Sequence, residues 1–250
     1  MMEMKKDVHL SAQDLLEMVQ MKPGTIGDYT IIPGPRERLE AVIAKLENPA
    51  EDFSYMEHTM YTGSYQGTKV TAVNGGLYSP QSAIMGEVVC AAETKHIIRT
   101  GSCGALCEDI SIGDLVIVTG AVRGDGTTPY YVPSNFSTVS DVGVTTALLN
   151  AAEELGVKCH VGVVWTTDAL LKETRELVEE MRRLKVKAVD MVSSTLLTVA
   201  QLYGVKAGTI LAVSDNLITG ELGFMDPKYY ETEEAMIDIA LKAVTLLEGK

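Results

Sequence analysis

The sequence HIIRTGSCGAL, residues 96–106, combines two features that are rarely found together. Its first residues are apolar or weakly polar, which predicts a buried strand over residues 96–100. Arg99 then places a full charge near the end of that strand, and Gly101-Ser102-Cys103-Gly104 follows at once. Because a buried charge is costly without a partner, we expect this strand end to meet either a ligand or a buried counter-charge.

Six further runs have a similar composition and little alternation of polar and apolar residues. They are YTIIP (29–33), TKVTAV (68–73), DLVIVTGAV (114–122), KCHVGVVWT (158–166), KAVDMV (187–192) and AGTILAVS (207–214). β-Branched runs without alternation are typical of strands covered on both faces, as in a parallel or mixed sheet.

Helical segments lie between or after these strands. They are SAQDLLEMVQ, PRERLEAVIAKL, SAIMGEVVCAAE, VTTALLNAAEELG, ETRELVEEMRRL, SSTLLTVAQLYG and EEAMIDIALKAVTLLEG. Ser11 is a predicted N-cap with Asp14 three residues later, and Pro35 lies in a first helical turn, where its missing N–H does no harm. The alternation predicts a layered α/β fold with helices on both faces of a sheet. Because no repeat or linker interrupts the pattern, we expect one domain over residues 1–250.

Composition narrows the function classes. The chain has 250 residues, 46% of them hydrophobic and 22% charged, as in an ordinary globular protein. A net charge of −13 argues against a nucleic-acid partner, since binding phosphate backbones requires an excess of Lys and Arg. The four cysteines lack zinc or disulfide spacing and are expected to be reduced. No signal peptide or membrane-spanning run is visible, so we expect a soluble, cytoplasmic protein without a membrane partner.

Polar residues lie at the carboxyl ends of three predicted strands, where α/β folds bind ligands. Arg99, Ser102 and the neighbouring glycines could form an anion site, with the guanidinium supplying charge and a planar fork of donors. The alternative is that Arg99 pairs with a buried carboxylate such as Glu87. Asp190 and Asp215 end the other two strands, and burial could make Asp215 a proton donor. The alternative for Asp215, a helix N-cap, is favoured on local grounds.

A second strand-to-helix junction, IIPGPRERL (31–39), carries Gly34 in the turn and Arg36 and Arg38 in the first helical turn. A helix N-terminus attracts anions and disfavours cations unless something negative is nearby. Two such junctions, each with glycine and arginine, favour a shared phosphate. His9 lies in a polar N-terminal segment that could pack on a neighbouring subunit.

Taken together and in this order, the motifs resemble one enzyme family. The motifs are DVHLSAQDL, IIPGPRERL, IIRTGSCGAL, IGDLVIVTGAVRGDG, HVGVVWTTDAL, VDMVSSTLLTVAQLYGVKAG and LAVSDNLITGE, which cover nearly the whole chain. They are similar to the purine nucleoside phosphorylase and uridine phosphorylase family, the hexameric type also related to methylthioadenosine nucleosidases. The resemblance implies a three-layer α/β/α domain with a central mixed, partly barrel-like sheet. It also implies a homo-oligomer, a hexamer built as a trimer of dimers.

The resemblance implies a reaction in which phosphate attacks the anomeric carbon of a nucleoside, giving ribose 1-phosphate and free base. Inorganic phosphate would be a co-substrate, and no metal or organic cofactor is expected. The implied phosphate-binding residues are Gly34, Arg38, Arg99 and Ser102. The implied general acid is Asp215. The implied substrate-binding residues are His9, lent by an adjacent subunit to the ribose 5′-hydroxyl, Met191 against the ribose, Leu170 and Val189 at the base, and Cys103, Gly104 and Asp190.

Four departures from the family pattern stand out. Val192 replaces a glutamate that binds the sugar hydroxyls, so Asp190 or another group would have to take over, or the sugar differs. Met56 stands where a neighbouring subunit would lend an arginine to phosphate. The loop NGGLYSP before the third helix is altered, and ALLKETREL lacks the Gln and Arg with which uridine phosphorylases bind uracil.

We therefore expect a nucleoside phosphorylase, a pentosyltransferase, with a purine-type base site. Asp215 and RTGSCG favour purine, whereas SSTLLTVAQLYGVKAG looks more like a uridine phosphorylase, so a uridine phosphorylase remains an alternative. Two more functions stay open at this point: a nucleosidase that uses water, and a family member that binds a nucleoside without turning it over.

Overall fold

The computed structural model describes residues 8–249. Within that range the strands are β1 (Tyr29–Pro33), β2 (Glu47–Tyr55), β3 (His58–Tyr65), β4 (Thr68–Val73), β5 (His96–Ala105), β6 (Leu115–Gly124), β7 (Cys159–Thr167), β8 (Ala188–Asp190), β9 (Lys206–Asn216) and β10 (Glu221–Leu222). The helices of the same range are α1 (Ala12–Met18), α2 (Arg36–Ile43), α3 (Ser79–Ala91), α4 (Val142–Glu154), α5 (Arg175–Arg183), α6 (Ser193–Leu202) and α7 (Pro227–Glu248).

All of these strands join one mixed sheet in the order β10-β9-β6-β7-β8-β5-β1-β4-β3-β2. Strand β5 pairs in parallel with β1 along its first half and with β9 along its whole length, and its last two residues pair with β8. The additional β9–β5 pairing closes β5, β8, β7, β6 and β9 into a small barrel, from which β1, β4, β3 and β2 extend. The expected fold class, α/β with a mixed and partly barrel-like sheet, is therefore confirmed.

Helices cover both faces of the sheet, as the apolar runs predict. Helices α1, α3 and α6 bury one core, which includes Leu16, Val88, Val89, Leu196 and Leu197. Helices α2, α4 and α7 bury a second core on the opposite face, which includes Leu39, Val42, Leu148, Ile237 and Leu241. Helix α5 packs through Val178 and Met181 on a third cluster around Trp165. The helices thus leave one end of the sheet open, where the connections leave β1, β5 and β9.

The helix termini follow the predicted capping chemistry. Ser11 and Asp14 form a reciprocal capping box at the start of α1, and the Ser11 amide donates to the Asp14 carboxylate over 2.9 Å. Pro35 is the N-cap of α2, one residue before its first turn. Helix α7 begins at Pro227, six residues earlier than the apolar periodicity from Glu233 indicates, with Asp226 as its cap. The additional turns bring Tyr229 next to β5, where its hydroxyl lies 2.6 Å from that of Ser102.

Two predictions of strand extent were wrong. Residues 101–105 do not form a turn after β5 but continue it, paired with β9, with a bulge between Cys103 and Gly104. Arg99 therefore lies inside the strand rather than at its end. The hairpin of β2 and β3 was missed because most of β2 is exposed and its sequence, ENPAEDFSY, lacks an apolar run.

The glycine after Arg99 has a steric function. A Cβ at Gly101 would lie 1.6 Å from Nη1 and 2.3 Å from Cζ of Arg99, so the guanidinium group folds back over its own strand across Gly101. A glycine in a strand interior often marks such a close approach. Gly101 is thus required by the buried arginine and not by a turn.

Two further features bear on the sequence predictions. All four cysteines are free, as expected. Every helix in residues 8–249 is too short or too polar to cross a membrane.

We predict that Gly101→Ala destabilises the fold, because the new methyl group and the Arg99 guanidinium cannot occupy the same space. Overpacking of a buried site costs about 1–3 kcal/mol, which corresponds to a fall in melting temperature of several degrees for a chain of this size. Gly126→Ala is the matched control, since a Cβ there would meet only a side-chain oxygen at 3.4 Å. Equal melting temperatures of the two variants in calorimetry would show that Arg99 is free to move away.

Candidate active site

A cavity of about 270 Å³ opens at the carboxyl ends of β5, β8 and β9, beside the β1–α2 junction. Nearly all of the predicted site residues line it: Gly34, Arg38, Ser102, Cys103, Gly104, Leu170, Val189, Asp190, Met191 and Asp215. Arg99 lies directly beneath the wall of the cavity, since its Nη2 donates to the Gly76 carbonyl over 3.3 Å and Gly76 lines the cavity. His9 is exposed and is not among the lining residues.

Arg99 is almost fully buried, and its charge is only partly matched. Its Nη2 lies 3.4 Å from Oδ2 of Asp190, whereas Nε and Nη1 have no hydrogen-bond partner among residues 8–249. The alternative, a pairing with a buried carboxylate, is thus confirmed in kind, but the partner is Asp190 and not Glu87. The Glu87 carboxylate accepts from Tyr131 and Tyr203 instead. Buried donors without partners are rare and need an explanation such as a bound ligand.

Asp190 is held by hydrogen bonds from its own neighbourhood. Its Oδ1 accepts from the Thr166 hydroxyl over 2.8 Å, and its Oδ2 accepts from the amide and hydroxyl of Ser193 over 2.9 and 2.7 Å. Together with the contact to Arg99, these donors occupy both carboxylate oxygens. Asp190 thus binds the first residue of α6 and contacts Arg99, which leaves it little capacity to accept from a further donor.

Arg38 is the second buried cation of the cavity. From the first turn of α2 it donates through Nη1 to the Thr100 carbonyl over 3.1 Å and through Nη2 to the Ser102 hydroxyl over 2.9 Å. Two residues of α7 complete its surroundings: the Tyr229 hydroxyl lies 3.2 Å from Nη2, and the Glu233 carboxylate forms an ion pair with the same nitrogen. By contrast, Arg36 is exposed and pairs with Glu40 on the surface.

The two guanidinium groups influence each other. Burial lowers the pKa of Arg99, the charge of Asp190 opposes this shift, and the positive charge of Arg38 adds to it. Repulsion between two buried cations favours a shared anion, because an anion between them would relieve it. We refer to Arg38, Arg99 and Ser102, whose guanidinium and hydroxyl donors lie at the end of the cavity next to α2 and α7, as the anion cradle.

Asp215 faces the cavity on its other side, from the end of β9. Burial raises the pKa of this carboxyl, while the hydrogen bond from Ser214, 2.8 Å to Oδ1, opposes the shift. The favoured N-cap alternative is wrong, because it is Asn216 whose side chain accepts from the Ile218 and Thr219 amides in the following turn. Gly104 makes room for Asp215, since a Cβ there would lie 2.9 Å from its Oδ2.

A second carboxyl group, Glu173, faces the same part of the cavity and was not predicted. It lies between β7 and α5, is half-buried, and has no hydrogen bond or ion pair in the part of the chain that the structure describes. Burial, followed by the negative charge of Asp215, raises its pKa to about 7. The two carboxyls thus form an acidic end of the cavity, where Glu173 can donate or accept a hydrogen bond near neutral pH and burial favours the protonated form of Asp215.

Apolar side chains form the walls between the cradle and the acidic end. They include Leu77, Leu170, Val189, Met191 and Phe224. Burial raises the pKa of the Cys103 thiol well above its ordinary value, so this cysteine is a neutral wall residue. No group of three or more His, Cys, Asp or Glu side chains within residues 8–249 is placed to hold a metal ion.

Four residues of the site were not predicted, and all four lie outside the motifs. They are Glu173, Phe224, Tyr229 and Glu233, which lie in loops and in the early turns of α7. For Glu173 the sequence holds one signal. The stretch ALLKETREL has no counterpart of the Gln and Arg with which uridine phosphorylases bind uracil, and Glu173 lies in that stretch. For the α7 residues no signal exists, because their contacts with α2 depend on tertiary packing.

Two departures from the family pattern are visible in the structure. Val192 is fully buried and contributes to the core beneath α6. Met56 is 83% exposed at the tip of the β2–β3 hairpin and lies far from the cradle, beside a separate apolar cavity of about 430 Å³. That cavity also includes Leu10, Met18 and Ile84, all exposed.

Comparison with known proteins agrees with this geometry. The family model described as "Phosphorylase superfamily" matches residues 28–245. A uridine phosphorylase of Thermococcus kodakarensis is 34% identical over 242 residues, which span 92% of this chain and 85% of that protein. A guanosine phosphorylase of Halorubrum lacusprofundi is 30% identical over 233 residues, which span 91% and 97%.

The fold is also similar to that of a solved structure. The crystal structure of a uridine phosphorylase from Vibrio fischeri superposes with a TM-score of 0.83 at 23% identity, covering 91% of this chain and 95% of that one. The relatives named above have the enzyme class expected from the sequence, that of pentosyltransferases. With the family model matching most of its length and two relatives at 30% identity or more, the chain belongs to the phosphorylase superfamily.

Proposed function

We propose that the protein is a nucleoside phosphorylase that transfers the pentosyl group of a purine nucleoside to inorganic phosphate. The observation that carries this proposal is the arrangement of one cavity, with the two buried guanidinium groups of Arg38 and Arg99 at one end and the carboxyls of Asp215 and Glu173 at the other. An anion and a base can bind there on opposite sides of a sugar.

The reaction follows from that arrangement. A phosphate oxygen held by Arg38, Arg99 and Ser102 bonds to the anomeric carbon as the glycosidic C–N bond breaks, and the electron pair of that bond passes to the base. Asp215, whose pKa is raised by burial, gives its proton to the base nitrogen or hydrogen-bonds it. Such a step is accelerated by groups that stabilise the charge developing in the transition state more than they stabilise the bound substrate.

A purine base is supported by the acidic end of the cavity. Purines offer a ring nitrogen, N7, that accepts a proton, and guanine and adenine also carry amino groups that donate. Asp215 can donate to the former, and Glu173, which has no protein donor within residues 8–249, can accept from the latter. The relative named guanosine phosphorylase is consistent with this assignment.

A uridine phosphorylase is the second candidate, because the relative of that name shares 34% identity with this chain. Against a uridine phosphorylase, the stretch ALLKETREL has no counterparts of the Gln and Arg with which uridine phosphorylases bind uracil. A panel of nucleosides with phosphate, following base release, decides between the two bases. The same panel without phosphate tests for a nucleosidase, which would release base with water alone. If no nucleoside is cleaved with or without phosphate, the protein only binds nucleosides.

We predict that Arg99→Ala reduces phosphate-dependent base release by roughly 10²–10³-fold, the effect of removing one preorganised charge from a transition state. Removing one partner of a buried ion pair is also destabilising, so melting temperature is measured alongside turnover. Arg36→Ala is the control, as this exposed arginine lies on the same helix as Arg38 and pairs with Glu40 on the surface. Near-normal phosphate-dependent turnover of a folded Arg99→Ala protein would contradict the role assigned to Arg99.

We further predict that Asp215→Asn slows cleavage of inosine or guanosine by at least about tenfold, since general acid help is typically worth ~10²–10⁴-fold. Asn keeps the shape and one donor but has no proton to transfer. The effect should be smaller for a substrate whose base is already a good leaving group. Unchanged rates on purine nucleosides, or activity confined to uridine, would shift the assignment to uridine.

We also propose that the protein is a homo-oligomer, in which the apolar surface around Met56, Leu10 and Ile84 is covered by a second copy. Exposed apolar patches of this kind mark interaction sites. His9 lies beside this surface and could reach a neighbouring site. We expect light scattering at micromolar concentration to give a mass that is a multiple of the 27.0 kDa chain mass. The substitution Met56→Glu places a charge on the apolar surface and should lower the measured mass. A fully active monomer would exclude this assembly.

A further inference from the structure

We propose that Glu233 on α7 sets the affinity of the protein for phosphate by occupying the anion cradle in place of phosphate. The cradle is not open in this structure, because a carboxylate of the chain already contacts one of its two arginines. The proposal rests on the proposed function only in identifying the competing anion as phosphate.

The contacts of α7 cover the donors that phosphate would need. The Glu233 carboxylate pairs with Nη2 of Arg38, the nitrogen that also donates to the Ser102 hydroxyl. The Tyr229 hydroxyl, one helical turn earlier, lies 2.6 Å from the Ser102 hydroxyl and 3.2 Å from the same nitrogen. Carboxylates and phosphates accept from guanidinium and hydroxyl groups in the same way. Glu233 is thus chemically equivalent to a bound anion at Arg38.

The balance of charge points the same way. Arg38 pairs with Glu233 and Arg99 with Asp190, so the two cations and two carboxylates at the cradle sum to zero. A phosphate dianion that entered beside both carboxylates would bring the total to −2, and like charges in a partly buried site repel each other. Asp190 is fixed by three hydrogen bonds, two of them from the start of α6, whereas among residues 8–249 Glu233 is held only by two side chains, the Arg38 guanidinium and the Tyr229 hydroxyl. Glu233 is therefore the carboxylate that gives way.

Glu233 also has somewhere to go. Its side chain is 20% exposed, compared with 3% for Arg38. It lines a second cavity of about 810 Å³ between α2 and α7, which is also lined by Lys45. Lys45 already pairs with Asp238 over 2.6 Å and with Glu234 over 3.6 Å. A released Glu233 can therefore turn towards solvent and a cation without movement of the sheet.

The competing explanation is that Glu233 holds Arg38 in a productive position. The two roles predict opposite effects on phosphate affinity. If Glu233 positions Arg38, removing its charge weakens phosphate binding; if it competes, removing its charge strengthens phosphate binding. The substitution Glu233→Gln separates them, because glutamine keeps the shape of the side chain and an oxygen acceptor while removing the negative charge.

The test is the dissociation constant of inorganic phosphate for the full-length protein, measured by isothermal titration calorimetry without nucleoside. We expect Glu233→Gln to bind phosphate about tenfold more tightly than the wild type, with a matching fall in KM for phosphate and little change in KM for nucleoside. Glu234→Gln is the matched control, since it removes the same charge from the next residue of α7, which pairs with Lys45 rather than Arg38. We expect it to change phosphate affinity less than twofold. Glu233→Ala, also expected to bind more tightly, guards against a specific effect of glutamine.

Equal or weaker phosphate binding by both Glu233 variants, with melting temperatures close to that of the wild type, would overturn the proposal. So would an equal gain in Glu234→Gln, which would show a general effect of net charge. The proposed function is tested separately by turnover: tighter phosphate binding without any phosphate-dependent base release would support the competition and contradict the phosphorylase.

Discussion

The site depends on the burial of one guanidinium group inside a sheet. Arg99 lies almost fully buried within β5 and folds back across Gly101 with Asp190 as its counter-charge. A buried charge of this kind costs free energy unless it is fully paired. The long contact of 3.4 Å, and the two nitrogens that lack a partner among residues 8–249, leave it under-compensated. The fold therefore holds an incompletely compensated charge, kept in place by the space at Gly101 and by the hydrogen bonds that fix Asp190.

Opposite electrostatic demands meet in one small cavity. At one end, Arg38 and Arg99 favour negative charge; at the other, burial raises the pKa of both Asp215 and Glu173, and the charge of Asp215 adds to the shift of Glu173. Apolar walls separate the two ends and limit the water that would otherwise screen them. A substrate that is attacked by an anion at one side and releases a basic nitrogen at the other matches this polarity along its length. The fully buried Val192 offers no hydrogen-bond acceptor at its own position between these two ends.

The sequence predicted strand bounds best where a short apolar run has clear limits. Strands β1 and β4 were predicted with their observed bounds because both are short apolar runs. The end of β5 was misplaced because glycine and serine are typical of turns, whereas here Gly101 accommodates a side chain from the same strand. Arg99, Ser102 and Asp215 were found from their positions at the ends of predicted strands, and Arg38 from the strand-to-helix junction at residues 31–39. The apolar wall residues Leu170, Val189 and Met191 came from the resemblance. Tyr229 and Glu233 could not be predicted, since the early turns of α7 have no apolar periodicity and reach Arg38 only through packing against α2.

The position of β5 determines which parts of the site can move. This strand is hydrogen-bonded to β1, β8 and β9, so it cannot detach without opening the barrel and the flanking sheet together. Strands of this kind exchange their amide hydrogens only through global unfolding, whereas loops and helix ends open locally at much lower free energy. Arg99 and Ser102 thus belong to the slowest-exchanging layer of the molecule. The walls of the cavity that can open locally at lower free energy are instead the segment around Glu173 and the beginning of α7, which form a rim above this rigid floor.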